Sequence, residues 1–192
     1  MALNLFRTEF LHASFYLIMS CFLFACKPPP LHQNDDEYDW ALPKGFPSPL
    51  VPNDNPMSAA KVALGKTLFF DEDLSFNQST SCASCHQPEF AFSEPQKVAV
   101  GSTGQRHRRN TQSLVNVAYN SNLTWAHSGL ERLEQQILIP MFSENPVELG
   151  ITGHESEVLQ RFKNQSYSKL FERAFDDSSA SFDRIVKALA SY

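Results

Sequence analysis

Residues 64–95 read LGKTLFFDEDLSFNQSTSCASCHQPEFAFSEP. The centre of this stretch, Cys82-Ala83-Ser84-Cys85-His86, is a C-x-x-C-H pattern, the attachment signature of a c-type haem. Two thiols presented from one short turn add to the two haem vinyl groups, and the adjacent imidazole then reaches the iron as proximal ligand. Two other readings compete. A thioredoxin-like redox pair asks for a βαβ context, and no strand alternation is visible around the motif. A zinc site asks for further Cys or His at ligand spacing, whereas His107 and His127 stand at irregular distances.

Working outward, Asn55-Pro56 followed by MSAAKVALGKTLFF predicts a helix start and one amphipathic helix, with Val62, Leu64, Leu68 and Phe69 toward the core. Asp71 to Gly104 is rich in turn formers and has no sustained period. A second helix is expected over Leu130 to Ile139. Thr152 and Glu155 stand at capping-box spacing ahead of EVLQRF, which starts a third. Tyr167 to Phe175 makes a fourth. Phe182, Ile185, Val186 and Leu189 follow i, i+3, i+4, i+7 spacing and make a fifth. The expected class is all-α: a cytochrome c-like haem domain over residues 40–150, with long loops, followed by a helical segment over 151–192. The last helix shows no stop signal before Tyr192, so the chain reads as truncated.

The N-terminal residues carry a different message. Phe15 to Ala25 is an apolar run of 11 residues, too short for the roughly 20 that a spanning helix needs and suited to the core of a secretory signal. It ends in Leu23-Phe24-Ala25-Cys26, which resembles a bacterial lipoprotein box. Residues 1–25 are therefore expected to be a lipoprotein-type signal peptide, with periplasmic location and an outer-membrane anchor on Cys26. Residues 26–39, with three consecutive prolines and a run of acidic residues, read as an extended, solvated tether.

Of four cysteines, Cys21 lies in the signal, Cys26 is the lipid candidate, and Cys82 and Cys85 hold the haem, leaving none for a disulfide. A net charge of −5 gives no electrostatic case for nucleic-acid binding. Function then turns on the sixth iron position. Met141 there would make a single-haem electron-transfer protein, although a methionine on a helix more often fills core space. His107, within the cationic run Arg106 to Arg109, is a further candidate ligand.

The stretch 64–95 resembles the N-terminal haem domain of the bacterial di-haem cytochrome c peroxidase family, which includes MauG. The resemblance continues through GSTGQRHRRNTQSLVNVAYN (101–120), LTWAHSGLERLEQQILIP (123–140) and NPVELG (145–150). The GFPSPLVPNDNPMS entry and the NVAYNSNLTWA wording look closest to the MbnH-like branch, linked to copper-handling gene sets.

The resemblance implies roles for particular residues. The proximal ligand falls on His86. The distal-pocket glutamate falls on Glu148 and the glutamine that orders that pocket on Gln136, with Pro140 lining it. The tryptophan between the two haems falls on Trp125, and an asparagine that helps hold an inter-haem calcium on Asn110. The implied reaction uses hydrogen peroxide, with Glu148 as general acid and base. Electrons would come through a second redox centre from a donor protein or an oxidised protein substrate. The family's second haem has no C-x-x-C-H here, and its distal histidine has no match, which implies an open sixth site or, alternatively, an inactive haem-binding fragment.

Overall fold

The computed structural model describes residues 38–125 and 128–192; the expected signal peptide, the Cys26 box and nearly all of the tether lie outside them. Helix α1 spans Ala59–Phe69. It begins at Ser58, whose hydroxyl accepts from the Lys61 N–H at 3.1 Å, and not directly after Asn55-Pro56 as expected. Asn55 has another task. Its buried amide donates to Glu134 at 2.9 Å and to the Lys187 carbonyl at 3.1 Å, tying the extended entry segment to two later helices. Leu64, Leu68 and Phe69 are buried as expected, and Val62 is half-buried.

A four-residue helix α2, Cys82–Cys85, follows. The next helix, α3, spans Leu133–Phe142, shifted from the expected 130–139. The Gln135 side chain explains the late start, because its oxygen accepts from the N–H groups of Glu131 at 3.1 Å and Arg132 at 3.3 Å. Pro140 lies inside the helix and costs it one backbone bond. The last turn is held from outside: Leu149 N–H donates to the Pro140 carbonyl at 2.9 Å, and Ile151 N–H to that of Met141 at 3.0 Å.

Helix α4 spans Glu155–Arg161, α5 Gln165–Phe175 and α6 Phe182–Ser191. The capping box expected at Thr152 is displaced. Glu155 accepts from Gly153 N–H at 3.1 Å, and the Thr152 hydroxyl instead donates to the Phe142 carbonyl at 2.7 Å. Helix α5 starts two residues before the expected Tyr167, because Asn164 accepts from the N–H groups of Ser166 and Tyr167. Ser181 caps α6.

The described residues contain no strand, only isolated bridges at Gln87–Ser93, Val100–Arg106 and Glu144–Val147. No helix among them is long and apolar enough to cross a membrane. The architecture is all-α, with long connecting loops.

Helix α1 makes its most extensive contact with α6. They cross so closely at Gly65 that a Cβ there would sit 2.0 Å from the Ala188 carbonyl oxygen. Leu64, Leu68, Met141, Ile151, Val158, Phe162, Phe171 and Ile185 share one core and are fully buried. Burial of such a side chain contributes about 2 kcal/mol. Residues 151–192 thus pack into the same core as α1. Arg161 binds this half to the loop ahead of the motif: its guanidinium donates to the carbonyls of Asp73 at 3.0 Å, Ser75 at 2.6 Å and Phe76 at 2.7 Å.

Candidate haem site

The loop entering α2 is wound around Ser75, which is fully buried and accepts from the N–H groups of Ser79 and Thr80. Ser81 N–H then donates to the Ser84 hydroxyl at 3.0 Å, closing the first turn of α2. Three residues apart on a helical turn, Cys82 and Cys85 share a face. Both thiols are free and half-buried. Burial pushes the Cys82 thiol up to about 12 and Cys85 up to about 11, and each feels the Glu148 carboxyl as a lesser contribution in the same direction. Thiol redox pairs work through lowered values, so these raised ones disfavour the thioredoxin alternative.

His86 follows directly, its N–H donating to the Cys82 carbonyl at 2.9 Å. Its Nδ1 lies 2.9 Å from the carbonyl oxygen of Phe92. A carbonyl can only accept, so the proton sits on Nδ1 and Nε2 keeps its lone pair, the arrangement an axial ligand needs. Burial also holds the ring neutral by lowering its value, against the opposing pull of backbone carbonyls. The carbonyl is aimed by a tight loop in which Ala91 and Phe92 both take left-handed backbone angles, at φ 56° and 55°. Gln87 N–H to Ser93 O and Phe92 N–H to Gln87 O, each at 2.9 Å, close that loop.

Glu148 lies on the segment returning from α3. Its side chain is 36 % exposed, yet burial lifts its carboxyl from 4.5 to about 7. His107 Nδ1 faces it at 3.8 Å. Gln136 is on α3, half-buried, and its side-chain oxygen is enclosed without a hydrogen-bond partner, as is His107 Nε2. Pro140 is joined to Glu148's neighbour by the bond from Leu149 N–H.

Trp125 and Asn110 form a separate pair. The indole is 56 % exposed, outside the core, and donates to the Asn110 carbonyl at 2.8 Å. The Asn110 side chain is occupied as a loop tie, donating to the carbonyls of Glu94 at 3.3 Å and Gln96 at 2.6 Å and accepting from Ser93. Among the described residues no group of three or more His, Cys, Asp or Glu side chains is arranged to hold a metal ion unaided. Met141 is fully buried in the core. Arg106, Arg108 and Arg109 are exposed.

The residues fit a c-type haem. Two free thiols on one turn and an adjacent imidazole with a fixed tautomer are what such a group would complete. Sequence reasoning did not find Phe92, because neither it nor Ala91 is a residue type that signals left-handed backbone. The pairing of His107 with Glu148 had only a weak signal, the histidine within the cationic run.

Fold and motif together define a c-type haem protein of the all-α class. The comparisons are more specific: the chain belongs to the di-haem cytochrome c peroxidase family, whose model matches residues 59–192. Methylamine utilization protein MauG of Methylophilus methylotrophus is 35 % identical over 150 residues, covering 78 % of this chain and 43 % of that protein. Cytochrome-c peroxidase IdrP1 of Denitromonas iodatirespirans is 36 % identical over 145 residues, covering 74 % and 37 %. A crystal structure of a MauG-like protein associated with microbial copper homeostasis aligns with a TM-score of 0.78 at 40 % identity, covering 80 % of this chain and 45 % of that one. The chain therefore spans less than half the length of these relatives.

Proposed function

We propose that this chain is the peroxide-handling haem unit of a di-haem peroxidase-type oxidoreductase. Cys82 and Cys85 would hold the haem covalently and His86 would ligate its iron. When bound, the haem supplies the redox chemistry of hydrogen peroxide reduction. The observation that carries the reading is a half-buried acid, Glu148, ionising near neutrality within electrostatic reach of both attachment thiols.

A carboxyl poised at about 7 exists in both protonation states at working pH, so Glu148 can take a proton from one peroxide oxygen and return it to the other. The unpartnered Gln136 oxygen is available to orient peroxide or a water by accepting a hydrogen bond. Pro140 would line that pocket, where a proline presents no N–H. The exposed Trp125 indole is an oxidisable surface group suited to exchange electrons with a second redox centre, supplied by a donor protein or a protein substrate.

The 40 % identity to a copper-homeostasis MauG-like protein supports the copper-linked branch. The apolar run before Cys26 supports export to the periplasm and a lipid anchor in the outer membrane. Calcium binding through Asn110 would require its side chain to exchange its present loop bonds for the ion. The electron-carrier reading, with the buried Met141 as sixth ligand, is separated from this one by the ferric spectrum.

The test is the exported, haem-loaded chain. The expected result is a mass carrying one covalent haem, a largely high-spin ferric spectrum, and rapid binding of cyanide. A mass without the adduct, or a low-spin spectrum indifferent to cyanide, overturns the proposal.

A further inference from the structure

Glu148 and His107 are brought together by two segments tied by one backbone and one side-chain hydrogen bond. Ser102 N–H donates to the Glu148 carbonyl at 2.8 Å, and Val147 N–H donates to the Gln105 side-chain oxygen at 2.9 Å. Gly101 passes so near that a Cβ there would lie 1.8 Å from the Val147 carbonyl oxygen. At the base of the loop Val100 bridges to Arg106, and His107 N–H donates to the Ala99 carbonyl at 2.9 Å. The loop therefore delivers His107 to Glu148 in a fixed register. The imidazole is only 15 % exposed, and its Nε2 is enclosed with no partner.

We propose that His107 is the positioning residue of Glu148, sharing one proton with it between Nδ1 and Oε1. This rests on the reading of Glu148 as the acid and base of the site. Burial disfavours the charged form of each group, lifting the carboxyl to about 7 and lowering the imidazole below its usual value. Burial keeps the imidazole neutral, which agrees with a contact of 3.8 Å in place of a tight ion pair. Glu94 is the charge that acts on His107, opposing the lowering, and Cys82 and Cys85 are the groups that face Glu148. A closure of about 1 Å makes a hydrogen bond. With the proton on Nδ1, Glu148 is a carboxylate able to accept a peroxide proton. With it on Oε1, Glu148 is the acid that protonates the departing oxygen. Within the pair itself only O–H and N–H bonds change; the electrons that break the O–O bond would come from the haem.

The experiment replaces His107 by Gln and, separately, by Asn in the haem-loaded chain. The Glu148 carboxyl is titrated by infrared difference spectroscopy without peroxide, with Glu148→Gln as the assignment control. The pH profile of the initial peroxide reaction is recorded beside it. Loss of the imidazole removes the group that stabilises the carboxylate, so the midpoint and the acid limb both move up by about one pH unit. The rate on the acid side then falls about tenfold while the alkaline plateau is kept. An unmoved midpoint in both variants overturns the proposal. A change of ferric spin state on replacing His107 also overturns it, since that would make the imidazole an iron ligand. If Glu148→Gln leaves the peroxide rate unchanged, the functional reading fails, and the infrared midpoint still decides whether the two residues share a proton.

Discussion

His86 Nδ1 and the Phe92 carbonyl oxygen, 2.9 Å apart, make the attachment motif and the loop after it a single device. Phe92 holds φ at +55°, and its N–H is bonded to Gln87. Proline cannot take that angle and has no N–H to give. Phe92→Pro should cost about 3 kcal/mol or more in chemical denaturation and leave the His86 ring without its fixed tautomer. Resonance Raman of the ferrous haem-loaded variant should show a weakened, broadened iron–imidazole stretch; an unchanged band would mean that the Phe92 carbonyl does not set the ligand.

Glu148→Gln keeps the shape of the side chain and removes its titration. The initial reaction with peroxide should slow about 10²-fold to 10⁴-fold, as measured by stopped flow. Stability should respond as well. The folded carboxyl is raised from 4.5 to about 7, so the folded state holds its proton more tightly than the unfolded state. Stability from this group therefore falls as pH rises from the unfolded value to about 7 and is level above it. The variant lacks that fall, and denaturation midpoints should favour it over the wild type at pH 8 but not at pH 4.

Met141 separates a peroxidase unit from an electron carrier. Met141→Leu preserves volume in a fully buried position and should cost less than about 1.5 kcal/mol. The ferric spectrum should be identical to wild type. Disappearance of a sulfur-to-iron charge-transfer band in the variant would instead assign the sulfur to the iron.

The crossing of α1 and α6 depends on Gly65. A methyl group there meets the Ala188 carbonyl at 2.0 Å and Tyr192 Cβ at 2.9 Å, so Gly65→Ala must push the helices apart. The expected loss is toward the upper end of about 1–3 kcal/mol, read by thermal or denaturant unfolding. Retained wild-type stability would show that the crossing can open to admit a methyl group.

The helices were legible because their apolar spacing survives in the structure, as Ile185, Val186 and Leu189 on α6 illustrate. Boundaries were less so, since side chains distant in sequence or off the pattern decide them: Gln135 delays α3, and contacts from Leu149 and Ile151 carry it past Pro140. The attachment motif was readable as a local pattern. The electrostatics of Glu148 was not, because its burial is made by loops that meet only on folding. Nor could sequence show that Trp125 stands at the surface, where a tryptophan's size argues for the interior.

The close pass of Gly101 over Val147 offers a way to sort related sequences without solving them. Any side chain at that position must displace the backbone that carries the acid. A relative with a bulkier residue aligned to Gly101 should therefore have an altered or abandoned proton-handling step, even where its C-x-x-C-H and its glutamate are intact. One glycine outside the attachment motif then serves as a marker for which relatives still share this chemistry.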